Sequence, residues 1–148
     1  MRRHWAYFKY IIFHKYFVLV ECIRLGVPIW ITVLHDWDKF LPDEWIPYAT
    51  TFYKPDGSRQ YKPSLQFDYA WNLHQKRNKH HHQFWLLTRD TGETVALQIP
   101  NVYLIEMIAD WKGTGKALGR PDTKAWYLDN KDKMILHPQT RNWISQML

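Results

Sequence analysis

Residues 35–40 read His35-Asp36-Trp37-Asp38-Lys39-Phe40. An imidazole beside a carboxylate suits a divalent ion. An ammonium three residues on suits an anion held near that ion. The flanking sequence decides how these groups are presented. Upstream, residues 3–25 carry Tyr7, Tyr10, Ile11, Phe17, Val18 and Cys22 at helical spacing, with His14 in mid-helix, and Gly26 and Pro28 stop the run. A second helix from about Pro28 puts Ile31, Thr32 and His35 on one face and ends near Trp37. Pro42 and Asp43 open a third, through Tyr53.

Downstream, Pro55-Asp56-Gly57-Ser58 is a turn signal, and a long helix is expected over residues 64–87. Residues 88–98 hold Asp90, Thr91 and Gly92 between β-tolerant residues, which reads as a small hairpin. Pro100 opens another helix expected to end at Gly113, a loop covers residues 113–121, and two short helices follow, the last from Pro138. The expected architecture is an all-α bundle of about six helices with one small β-hairpin, forming a single domain.

Composition narrows the chemistry. At 148 residues, 46% hydrophobic and 17% aromatic, the chain can bury a core and is not a disordered segment. The single cysteine, Cys22, excludes an intrachain disulfide and a CxxC zinc site, so any metal must rest on His, Asp and Glu. A net charge of +6 suits an anionic ligand, but no dense Lys/Arg block stands out, which disfavours nucleic acid. Residues 5–34 look apolar, yet Lys9, His14, Lys15, Glu21 and Arg24 interrupt them. No uninterrupted apolar run of about 18 residues survives, so no membrane span is expected.

Four candidate ligands come from three helices: His14, His35 with Asp36, and Asp110. Side chains facing inward from separate helices are how bundles build metal sites. Glu106, one turn before Asp110, faces the same way and is a candidate to orient a ligand or to act as a base. Three more histidines, His74, His80 and His81, are candidates for a second ion. On a continuous helix His74 and His81 would lie about 10.5 Å apart along the axis, too far to share an ion easily, so either the helix breaks near Asn78-Lys79 or they serve different ions or the substrate. Lys39, Arg77 and Lys15 are candidates to neutralise phosphate oxygens, Asn78 to touch substrate, and Trp37, Trp71 or Trp85 to stack on a base. Lys54, Arg59 and Lys62 read as loop charges. Gly113-Thr114-Gly115-Lys116 lacks the full phosphate-loop pattern and follows a helix, so a flexible loop is the better reading.

The order His14, His35-Asp36, Asp110 resembles the HD-domain superfamily of metal-dependent phosphohydrolases over residues 14–110. Lys39 completes an HDxxK motif similar to that of the HD-GYP phosphodiesterases, although the GYP element is absent and His82-Gln83 stand where an acidic residue would follow the double histidine. HDWDKF, LHQKRNKHHHQFW and EMIADW look more like a small phage and bacterial HD-like family. The resemblance implies one or two divalent transition-metal ions (Mn, Co, Ni, Zn or Fe), with His74, His80 and His81 on the second. It also implies hydrolysis of a small phosphorylated substrate such as a nucleotide, in the cytoplasm of a bacterium or a phage-infected cell. A homodimer that completes the site stays open. Two other classes remain: a di-iron oxygenase on the same fold, and a non-enzymatic basic nucleic-acid-binding helical domain.

Overall fold

The structure is a computed structural model and describes residues 1–148. Helix α1 (Arg2–Leu25) ends at Gly26, whose φ of 76° is open to glycine at little cost. The Gly26 amide donates to the Ile23 carbonyl and the Val27 amide to the Cys22 carbonyl, capping the last turn. Helix α2 (Ile29–Leu34) is shorter than expected. It stops before His35, which is extended at ψ 124°, and Asp36 turns left-handed at φ 54°. No other non-glycine residue has positive φ. The pair thus sits in a sharp turn, not on a helix face. A 3-10 turn over Trp37–Phe40 leads into α3 (Pro42–Phe52).

The expected long helix after Ser64 divides. Helix α4 (Leu65–Arg77) starts where the Ser64 hydroxyl accepts from the Phe67 amide at 3.3 Å. It breaks at Asn78, which is extended, with φ −114° and ψ 109°. The backbone and side-chain amides of Asn78 both donate to the His74 carbonyl, at 3.1 Å and 2.9 Å. The chain then turns through Lys79–His81 and a 3-10 segment (His82–Trp85) into a hairpin of β1 (Leu86–Thr88) and β2 (Thr94–Ala96). Leu86 pairs with Ala96 and Thr88 with Thr94.

Helix α5 (Asn101–Ala117) runs a turn beyond the expected stop at Gly113, so the first half of the expected glycine loop is helical. A Cβ on Gly113 would lie 2.7 Å from the Val18 backbone nitrogen, so glycine is what allows α1 and α5 to approach this closely. Helices α6 (Thr123–Asn130) and α7 (Pro138–Met147) complete seven α-helices and one hairpin. No helix is long and apolar enough to cross a membrane.

The core has three apolar parts. Tyr7, Ile11, Tyr48, Ala49, Tyr53, Phe67 and Ala70 join α1, α3 and α4. Val18, Cys22, Val27, Ile31 and Ala109 join α1, α2 and α5. Ile99, Leu104, Met107, Ile108, Tyr127 and Ile144 join α5, α6 and α7. His14 lies on α1 between Ile11 and Val18, and Asp110 follows Ala109 on α5, so the polar residues are buried where these parts meet.

Candidate metal centre

Burying charge is unfavourable unless it is paired. Here His14, His35, Asp36, Asp38, Glu44, His74, His80, Glu106 and Asp110 are all 9% exposed or less. Asp36 is at the centre. Its Oδ2 lies 3.0 Å from His14 Nε2 and 3.4 Å from His35 Nε2. Asp110 Oδ1 lies 3.5 Å and 3.4 Å from the same two nitrogens. The other Asp36 oxygen, Oδ1, lies 3.5 Å from His74 Nε2 and 3.3 Å from His80 Nε2. His81 joins this second group. The chain therefore forms two donor sets, His14–His35–Asp36–Asp110 and Asp36–His74–His80–His81, with one carboxylate in both. Each set has ligand atoms within 4.8 Å of one another.

The helix break makes the second set. His74 is on α4, while His80 and His81 follow the Asn78 turn, so the chain folds back instead of carrying them a further turn along an axis. His81 packs with its ring centroid 4.7 Å from that of His74.

Carboxylates behind the histidines fix their rings. Nδ1–H of His35 donates to Glu106 Oε1 at 3.0 Å. His80 Nδ1 lies 3.2 Å from the same oxygen, so one carboxylate orients a histidine of each set. His74 Nδ1 lies 3.0 Å from both Asp38 Oδ2 and Glu44 Oε2. The Thr114 hydroxyl is 3.3 Å from His14 Nδ1 and donates to Asp110 Oδ1 at 3.3 Å. Thr114, Asp38 and Glu44 were not singled out from the sequence. The available signals were Thr114 one helical turn after Asp110, and Asp38 two residues after Asp36.

The inner faces of these histidines are unpaired. Nε2 of His35, His74, His80 and His81, together with Asp36 Oδ1, have no hydrogen-bond partner. Buried polar atoms left without a partner in this way call for a ligand or for protons. Borderline imidazole and carboxylate donors suit Mn, Fe, Co, Ni or Zn. The residues fit a two-ion site.

The field in the cluster is that of an anionic cage. Burial opposes charge on Asp36, but His35, Lys39 and His74 outweigh it and hold its carboxyl well below the usual range. Asp110 is likewise held down, with burial opposed chiefly by His35 and His14. Burial alone would lower His35, yet Asp36, Asp110 and Glu106 raise it to about 9. His14 is lowered by burial and by Lys39. His81 is lowered by burial and by His80 and His74. The cage thus binds cationic charge as protons on some imidazoles and keeps others neutral.

The remaining candidates are distributed as follows. Lys39 donates to Asp36 Oδ2 at 2.6 Å, at the edge of the cluster. Lys15 instead donates to the His35 carbonyl and so secures the end of α2. Arg77 is held by Asp43 and Glu44, at 2.8 Å each, which sets it behind His74 as a brace. Asn78 donates to Asp38 at 2.6 Å and serves the turn. Among the tryptophans, Trp71 packs on His74 and His81. Trp85 donates to the Lys79 carbonyl at 2.8 Å. Trp37 is exposed. A cavity of about 360 Å³ opens onto the cluster at His81 and Asp110, bordered by Trp71, Thr114, Trp111 and Arg120.

A protein-family model described as a family of unknown function, DUF5662, matches residues 3–148. No curated protein and no solved structure matches the chain.

Proposed function

The chain belongs to the DUF5662 family, and from the site within the matched residues we propose that it is a metal-dependent phosphohydrolase acting on a small phosphoester, with a nucleotide as the expected class. The observation that carries this reading is the division of Asp36. One carboxylate oxygen faces His14 and His35, and the other faces His74 and His80. A shared carboxylate between two histidine-rich sets is the arrangement expected of a binuclear centre in a helical bundle. The resemblance of His35-Asp36 and Lys39 to the HDxxK phosphohydrolases points the same way.

Divalent ions in such a cage supply Lewis acidity and bring the pKa of a bound water toward 7. The chain's own residues do the rest. His14, His35, Asp36 and Asp110 would hold one ion, and Asp36, His74, His80 and His81 the other. Glu106, Asp38, Glu44 and Thr114 keep the rings aligned. The Lys39 ammonium has three N–H groups and gives one to Asp36. The others are free to meet phosphate oxygens of the substrate. In the reaction, a water oxygen bonds to phosphorus as the ester P–O bond breaks, and the leaving oxygen takes up a proton to give an alcohol and inorganic phosphate.

Elemental analysis of untagged protein, with Asp36→Ala alongside, tests this reading. One to two Mn, Co, Ni, Zn or Fe ions per chain are expected in the wild type and none in the variant. Turnover of phosphoesters should be lost with them while helical circular dichroism is kept. Tightly held iron with substrate-dependent oxygen uptake would replace hydrolysis by a di-iron oxygenase. No metal after reconstitution, with steeply salt-dependent RNA or DNA binding, would replace both by a nucleic-acid binder.

A further inference from the structure

Tyr7 on α1 and Tyr48 on α3 are 1% and 6% exposed, and neither hydroxyl has a hydrogen-bond partner. An unpaired buried hydroxyl is unfavourable, so such groups point to an absent oxygen or nitrogen. Both line a cavity of about 260 Å³ with Tyr10, Tyr53, Lys39 and Arg59. Lys39 is its buried end, since the ammonium reaches Asp36 of the metal cage. Arg59 is its exposed end. The guanidinium lies over the rings of Tyr10 and Tyr53, 5.4 Å and 5.7 Å from their centroids, and pairs with no carboxylate. Its backbone bridges to Tyr53 across the turn that contains Gly57, so this residue is built into the rim and is not a free loop charge.

Two cations and no acidic side chain stand in a lining that is otherwise aromatic and apolar, with the two unpaired hydroxyls buried beside it, a setting that favours an oxyanion over a cation. A tetrahedral oxyanion has enough acceptor oxygens to use several of these donors at once. The cavity touches the cage through Lys39 but contributes no ligand to it. A group seated there would lie beside the cage, next to Lys39, without being the group that reacts. We propose that this tyrosine-lined cavity is a phosphate subsite, and that the substrate is a compact molecule carrying two phosphate groups, one at the metal cage and one between Lys39 and Arg59. The substrate assignment rests on the hydrolase reading above; the anion site does not.

Calorimetric titration of inorganic phosphate into the full chain, with a chelator present, reads the cavity alone. Saturable binding is expected. It should weaken about tenfold or more in Arg59→Gln and in the Tyr7→Phe/Tyr48→Phe pair. It should be unchanged in Arg89→Gln, whose side chain pairs with Glu93 on the hairpin. The phenylalanine pair removes only unpaired hydroxyls, so its melting temperature without phosphate should hold or rise, which separates lost binding from lost fold. No phosphate binding, or an equal loss in Arg89→Gln, overturns the subsite whatever the metal content. In the metal-loaded chain, Arg59→Gln should raise KM for propane-1,3-diol bisphosphate with kcat held, and leave KM for propane-1,3-diol monophosphate unchanged. Equal effects on the two esters overturn the bisphosphate assignment. Phosphate binding retained in a chain that takes up no metal overturns the hydrolase reading, and the substrate with it, while the anion site stands.

Discussion

At the scale of single residues, Glu106 and Asp36 have distinct roles. Asp36 would be a ligand, and its removal takes away a donor from both sets. Glu106 touches no proposed ion; it holds His35 and His80 through their outer nitrogens. Glu106→Gln keeps the shape and removes the charge. We expect metal affinity to fall about 10–100-fold with the fold unchanged, the usual consequence of losing an outer carboxylate. Competitive metal titration checks this, and unchanged affinity would make Glu106 a buried counter-charge only. The residues legible in the sequence are those with distinctive chemistry in a distinctive order, namely His14, His35-Asp36 and Asp110, with His74, His80, His81 and Glu106 around them. Thr114, Asp38 and Glu44 were not legible, because a threonine or an acid on a helix is ordinary until a histidine is found beside it. Arg59 reads as a loop charge in the sequence because Tyr10, whose ring it covers together with that of Tyr53, comes from the distant helix α1.

At the scale of elements, the sequence pattern carried the helices but not their ends. The continuous helix expected through residue 87 stops at Arg77, where Asn78 turns extended with its buried side-chain amide held by Asp38 and the His74 carbonyl. Asparagine in mid-pattern is a weak breaker, so only the implausible spacing of His74 and His81 hinted at it. Gly113 shows the opposite error. Glycine after an apolar run reads as a stop, but here the helix continues and glycine serves the contact with Val18. A methyl at Gly113 would meet backbone atoms at 2.7 Å and 2.8 Å, which cannot rotate away. Gly113→Ala is therefore expected to destabilise the protein by about 1–3 kcal/mol, despite the roughly 1 kcal/mol that alanine gains in helix propensity. Denaturant unfolding reads this directly. Because Asp110 and Thr114 flank Gly113 and His14 lies a turn from Val18, metal affinity should fall in the same variant.

For the whole molecule, the cage sets the response to pH. Without metal, His35 is raised from 6.5 to about 9 by its carboxylate neighbours. A raised histidine stabilises the fold fully below the unfolded value, and that contribution is lost as pH rises through the folded value. The chelator-treated protein should therefore lose stability between about pH 6.5 and 9, judged by denaturation midpoints in a constant buffer mixture. Metal should reverse the trend, because ions replace those protons and bind better as protons leave. A chelated protein whose midpoint rises across this window would contradict the cluster's assigned charge.

The sharing of Asp36 by the two donor sets, with Glu106 behind one histidine of each, has a thermodynamic consequence. Whatever orders one of these carboxylates for the first ion has already ordered it for the second. The two binding events are therefore linked, and linkage is reciprocal. On the proposed reading, half-loaded protein should be scarce at intermediate metal concentration, with empty and doubly filled chains dominating. The centre would then behave as one all-or-none unit, engaging over a narrow range of free metal.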